Sequence, residues 1–127
     1  MSNRRVRSGL GALLVFTIAA CIPGAAVALK NGEPPNPDGT VSCMTSSTKG
    51  DLVVDPTAGT ALVEEGGARL IVVWPYGWTG RSSGSDVEVL DTSGSVVVRT
   101  GNKVFLPGGY TGSFPRGFLT CAGAKQL

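Results

Sequence analysis

The chain contains no histidine. That absence removes the commonest general base, the partner that activates a serine nucleophile, and a standard zinc ligand. Cysteine is scarce, at three residues in 127, and no two are spaced CxxC, which leaves no thioredoxin-type redox pair and no zinc ribbon. Only two Trp and two Tyr are present, so a small domain is short of the large rings that usually fill its core. From Val41 to Cys121 no stretch follows a helical apolar period, and no Gly-rich loop stands between a strand and a helix to cradle phosphate. Long hydrophobic runs are missing as well, apart from 13 residues near the start, which fall short of the about 20 that span a membrane.

That first run has the layout of an export signal. Arg4, Arg5 and Arg7 precede the apolar stretch Leu10–Ile22, Pro23 and Gly24 break it, and Ala26-Val27-Ala28 offers small residues to a signal peptidase. Residues 1–28 therefore read as a signal peptide cleaved after Ala28. A competing reading starts from Ile18-Ala19-Ala20-Cys21, which resembles a lipobox and would make Cys21 the lipidated first residue of the mature chain. Arg4-Arg5 hints at the twin-arginine route, although Arg7 stands where that route expects an apolar residue. Cleavage after Ala28 removes three of the eleven Lys and Arg and none of the nine Asp and Glu, so the formal charge falls from +2 to −1. The basicity belongs to the signal, and charge implies no nucleic-acid partner; a membrane is expected only through the export signal or a lipid anchor. In an oxidising compartment Cys43 and Cys121, 78 residues apart, are expected to form one disulfide.

Residues 29–40, LKNGEPPNPDGT, are rich in Pro, Gly and Asn and read as a disordered tether. The folded domain is expected over 41–121, followed by a loose tail, 122–127. Within it, short runs of Val, Leu, Ile and Thr alternate with turn residues. Strands are expected at 51–55, 60–64, 68–74, 86–90, 95–100, 103–106 and 117–121, with another conceivable at 41–45. Asp91-Thr92-Ser93-Gly94 and Gly101-Asn102 read as tight turns that join 86–106 into a three-stranded meander. Val87/Val89, Val96/Val98 and Val104/Leu106 each share a strand face. The strand 68–74 is apolar on both faces, as a central strand requires. The fold class is therefore all-β: a small antiparallel barrel, OB-like or SH3-like, of six to seven strands with one disulfide.

The stretch VVWPYGWTG, residues 72–80, poses the main functional question. Trp74 ends an apolar strand and belongs to the core, while Pro75-Tyr76 suits the middle of a turn with Gly77 at its fourth place, and 78–85 reads as a mobile surface loop. In one reading, Tyr76, Trp78 and Arg81 form a shallow exposed platform, flat rings and a guanidinium that would stack on cell-wall glycan or grip a peptide. In the other, the rings fold over an open end of the barrel and cap a core that needs them.

No catalytic set survives inspection. Gly80-Arg81-Ser82-Ser83-Gly84 fits G-x-S-x-G but lacks a following helix and a His. Ser46-x-x-Lys49 falls in a polar stretch expected to be a turn after Cys43, the wrong setting for Ser-Lys chemistry. Glu64-Glu65 lies beside Gly66-Gly67 at an expected hairpin tip, and Asp86/Glu88 can pair with Arg99 across a ladder; neither pair has the ligand count of a calcium loop. No metal and no cofactor are expected.

The order Cys43, then Trp74-Pro75-Tyr76-Gly77-Trp78, then the turn-flanked valines from Val87 through Val104, then Cys121, resembles small exported or lipid-anchored domains of unknown function from Gram-positive, high-GC bacteria. The resemblance covers about half of the mature chain and implies an extracytoplasmic location without an activity. The expectation is a non-catalytic exported domain, secreted or at the cell surface, that binds a cell-wall glycan, a lipid or an extracytoplasmic protein; the alternative is an inhibitor or accessory subunit of an extracytoplasmic enzyme.

Overall fold

The computed structural model describes residues 24–112 and 116–127, and among them all regular structure is strand. In chain order the strands are β1 (Ala26–Val27), β2 (Ser46–Asp55), β3 (Gly59–Glu64), β4 (Arg69–Val73), β5 (Thr79–Ser83), β6 (Asp86–Leu90), β7 (Val96–Arg99), β8 (Lys103–Thr111), β9 (Gly117–Thr120) and β10 (Lys125–Gln126). Five of them close a barrel. β2 pairs antiparallel with β3 and β8, β3 with β4, and β8 with β9, and a parallel β4–β9 pairing completes the ring. The order β2-β3-β4-β9-β8 and back to β2, first-second-third-fifth-fourth, is the connectivity of an OB-like barrel rather than an SH3-like one. The third and fourth barrel strands are joined by an inserted antiparallel ribbon, β5-β6-β7, to which β1 adds at the free side of β5.

The alternation of β4 explains its central place. Leu70 and Val72 are wholly buried toward the core, while Ile71 and Val73, on the other face, are half-buried. Leu52, Leu62, Val104, Leu106 and Phe118 join Leu70 and Val72 in one core cluster with Val89 and Val98 of the ribbon. Trp74, also fully buried, donates its indole N–H to Thr60 Oγ1 at 2.8 Å, which satisfies the one polar atom the ring carries inward.

Several expectations change on contact with the fold. The meander over 86–106 does not form. β7 stays with β6 in the ribbon, whereas β8 belongs to the barrel, and Gly101-Asn102 turns the chain between sheets. There the Gly101 N–H donates to Leu52 C=O and the Asn102 C=O accepts from Leu52 N–H, so β2 rather than a hairpin partner satisfies the turn. A register shift at Val89/Leu90 leaves Val96 44% exposed although Val98, two residues on, is buried. The loop expected at 78–85 is largely β5, a strand of TGRSS that carries no apolar side chain. Ser46–Lys49 is the start of β2, not a turn, and residues 41–45 form no strand.

The segment expected as a signal end and tether is also different where it is described. Residues 24–32 form a strap across the molecule. Gly24 N–H donates to Ser82 C=O at 2.7 Å, Ser82 N–H to Ala25 C=O, Lys30 N–H to Ala58 C=O, Trp74 N–H to Lys30 C=O and Gly32 N–H to Trp74 C=O. Leu29 packs against the core cluster. Composition concealed this because the strap is held chiefly by backbone bonds, which Asn and Gly make as well as any residue. A Cβ on Gly80 would lie 2.7 Å from Val27 O, and one on Gly59 2.4 Å from Ala28 O, so both barrel and ribbon leave room for the strap. Residues 1–23, Cys21 and the lipobox among them, lie outside the described residues.

Cys43 and Cys121 are bonded, with Cα atoms 6.0 Å apart, as their spacing and compartment predicted. The bond ties the chain just before β2 to the chain just after β9. A disulfide of this kind is consistent with an oxidising, extracytoplasmic environment.

Candidate functional site

Of the two readings of the aromatic run, the exposed platform of Tyr76, Trp78 and Arg81 is not assembled. Trp78 is 9% exposed and belongs to the core cluster; its ring stacks on Trp74 with centroids 6.0 Å apart and planes 17° off parallel. The cap reading therefore describes Trp78. The turn that carries it runs from Pro75 to Trp78, whose N–H donates to Pro75 C=O at 3.1 Å, one residue later than expected. Gly77 then occupies the third place with φ +84°, the conformation that favours glycine, and this shift swings Trp78 inward. Tyr76 remains 56% exposed and lines a different, second cavity with Pro75, Leu119 and the Cys43–Cys121 bridge. Arg81 points to neither ring. Its guanidinium donates to Glu88 Oε1 at 3.0 Å from Nε and meets it at 2.9 Å from Nη2. Arg99 takes the other carboxylate oxygen at 2.6 Å. Registry explains the stripe, since Arg81, Glu88 and Arg99 are direct neighbours across β5, β6 and β7. Arg99 first and Arg81 second hold the Glu88 carboxyl below its usual range.

A separate groove of about 850 Å³ lies on the outer face of β4. Its floor is Ile71 and Val73, with Gly117 of β9 beside Ile71 in the parallel register. One wall is the strap, Ala28, Leu29 and Lys30; another is the β2–β3 turn with Asp55, Thr57 and Ala58; Thr111, at the end of β8, closes the far side. Five separated chain segments thus meet at one depression. In barrel order the floor is the third strand beside the fifth, and the rim includes the first–second turn.

The electrostatics of the groove are asymmetric. Asp55 accepts from the backbone N–H of Ala58 at 2.8 Å and Thr57 at 3.0 Å, and from Arg69 at 3.0 Å. Those bonds, the Ala58 N–H foremost and then Arg69, lower its pKa below the ordinary value, so it is a fixed anion already matched to a cation and a poor proton acceptor. Lys30, whose backbone is tied to Ala58 and Trp74, makes no side-chain ion pair among the described residues.

The carboxylates behave differently from expectation at the hairpin tip. Glu64 accepts from the Thr48 hydroxyl and from Tyr110 OH, at 2.5 and 2.6 Å, and these bonds, Thr48 first, keep it ionised below its usual range. It is a cross-strand clamp between β3, β2 and β8. No group of three or more Cys, Asp or Glu that could hold a metal ion occurs among the described residues.

Comparison with protein-family models, with curated proteins and with solved structures finds no match to this chain.

The groove was legible only in part. The strand 68–74 is apolar on both faces, a pattern that predicts burial on both sides. One of those faces is instead a half-covered floor. Lys30, Asp55 and Arg69 had no local signal, because the strap and the β2–β3 turn reach them only through the three-dimensional path of the chain.

Proposed function

We propose that this chain is a non-catalytic extracytoplasmic binding module, anchored through Cys21, that receives a cell-envelope component in the groove on the outer face of β4. The observation that carries the proposal is the convergence of five chain segments at a depression with an apolar floor and a polar rim, within the volume range of small-ligand sites. A merely solvated sheet face has no reason to keep Ile71 and Val73 side by side under a strap. Non-catalytic use is supported by Asp55, the one carboxylate among the described residues of the groove, being matched to Arg69 and two backbone donors, and by a chain without histidine.

The anchor is supported by the strap. Cleavage after Ala28 would remove Ala26–Val27 and their pairing with Gly80 and Arg81, and would open the core beside Leu29. Processing before Cys21 keeps every one of these contacts and leaves only Ile22 and Pro23 between a lipidated residue and Gly24. The domain then rides directly on the outer face of the membrane. Intact mass of the protein recovered from its host reads this directly: an acylated Cys21 start supports the anchor, and a Leu29 start overturns it.

Binding is tested by retention on insoluble cell-envelope material. The pair Ile71→Thr and Val73→Thr keeps β-branched residues in β4 while removing apolar floor. Retention lost in the pair, with the thermal midpoint little changed, is the expected result. Equal retention of the pair and the natural protein overturns the groove as the binding site.

A further inference from the structure

The groove has a chemistry narrower than "envelope component". We infer that its ligand is a single-chain anionic amphiphile of the membrane, with its aliphatic part on Ile71, Val73 and Leu29 and its acidic head at Lys30. This rests on the reading of the groove as a binding site and names the class it takes.

Three features of the molecule select that class. The first is the kind of apolar surface. Glycans and nucleobases are held by stacking on flat rings, and no aromatic side chain lines the groove among the described residues. Trp74, Trp78 and Phe118 are in the core, Tyr76 lines the other cavity, Tyr110 is bonded to Glu64, and Phe105 lies under the Lys125 ammonium. What remains is branched aliphatic, which favours hydrocarbon by area burial rather than by stacking. The second is the charge. Asp55 and Arg69 cancel one another at 3.0 Å, and among the described residues of the lining Lys30 is left as the one charge without an ion pair, next in sequence to Leu29 of the apolar wall. A ligand that offers a chain and an anion at adjacent points matches this pair; a neutral sugar leaves the ammonium unanswered. The third is position. Lys30 and Leu29 belong to the strap, whose start at Gly24 is three residues from Cys21, so a membrane-anchored domain carries the groove close to its source of amphiphile.

The test uses the protein as its host processes it, labelled at Ile, Leu and Val methyls. Three probes are compared: oleoyl lysophosphatidylglycerol below its micelle concentration, mono-oleoylglycerol with the same chain and no phosphate, and soluble cell-wall glycan fragments. The phospholipid is expected to bind one to one and to shift the methyls of Leu29, Ile71 and Val73. The uncharged lipid should bind about tenfold more weakly, and Lys30→Gln should bring the two lipids to similar affinity, as loss of one charge-assisted contact predicts. The inference is overturned if glycan fragments shift those methyls and the phospholipid does not, or if Lys30→Gln leaves the preference unchanged. These outcomes separate from those for the groove itself: envelope retention that still depends on Ile71 and Val73, without lipid binding, overturns the ligand class and spares the site.

Discussion

Trp78 and Tyr76 are two residues apart and belong to different environments. Trp78 stacks on Trp74 inside the core cluster, and Tyr76 is 56% exposed beside the disulfide. Trp78→Ala should therefore destabilise by about 3 to 5 kcal/mol, the usual range for deleting a buried large ring. Tyr76→Ala should stay within about 0.5 kcal/mol, as exposed substitutions do. Chemical denaturation of the two variants checks the contrast, and similar midpoints would contradict the burial described for Trp78. At this scale the sequence carried a good deal. Trp74 as core, the Cys43–Cys121 bond, the inward Val87, Val89, Val104 and Leu106, and the Glu88–Arg99 pairing all followed from alternation and spacing. What it did not carry was the one-residue placement of the Pro75–Trp78 turn, since Pro and Gly are compatible with either position and only the packed partner of Trp78 decides between them.

At the scale of elements, strands announced by β-branched side chains were legible and those built from backbone bonding alone were not. β4, β6 and β8 show their apolar residues in sequence; β5 does not, because it is held between β1 and β6 by backbone pairing, and the two residues of β1 are too few to show a period. The β7–β8 connection looked like a hairpin since Gly101-Asn102 is good turn chemistry, but turn chemistry does not say which sheet receives the next strand. The strap is the element with the sharpest test. A methyl on Gly80 meets Val27 O at 2.7 Å, closer than side-chain carbons tolerate, so either β1 or β5 must move. Gly80→Ala should cost about 1 to 3 kcal/mol, in the range of overpacking, and should speed amide exchange at Val27 and Ser82 while β2–β3 protection persists. Unchanged exchange along the strap would mean that it is not held where Gly80 and Gly59 make room for it.

At the scale of the whole molecule, two properties follow from the topology and from the missing histidine. The Cys43–Cys121 bond encloses 78 residues of sequence and thereby nearly the whole barrel. Cys43→Ser with Cys121→Ser should lower stability by about 2 to 5 kcal/mol, chiefly by freeing the unfolded chain, and denaturant midpoints of the two forms measure it. The pH dependence is set by carboxylates. Asp55 is held below its ordinary 3.8 by the Ala58 N–H and then Arg69, Glu64 below 4.5 by Thr48 and then Tyr110, and Glu88 below 4.5 by Arg99 and then Arg81. Each is ionised in the folded chain at a pH where its unfolded counterpart has already taken a proton. Their stabilisation is complete above the ordinary values and is lost as pH falls through and below them, since the unfolded chain then binds the extra protons. With no histidine, no side chain of ordinary pKa titrates between about pH 5 and 8. The thermal midpoint should accordingly be flat from about pH 6 to 8 and decline below about pH 4.5. Glu88→Gln should lower the midpoint at neutral pH and make the acid limb shallower, because one of the carboxyls that resist protonation in the folded state is gone. A midpoint that falls between about pH 8 and 6, where carboxylates have nothing left to titrate, would place the governing group elsewhere in the molecule.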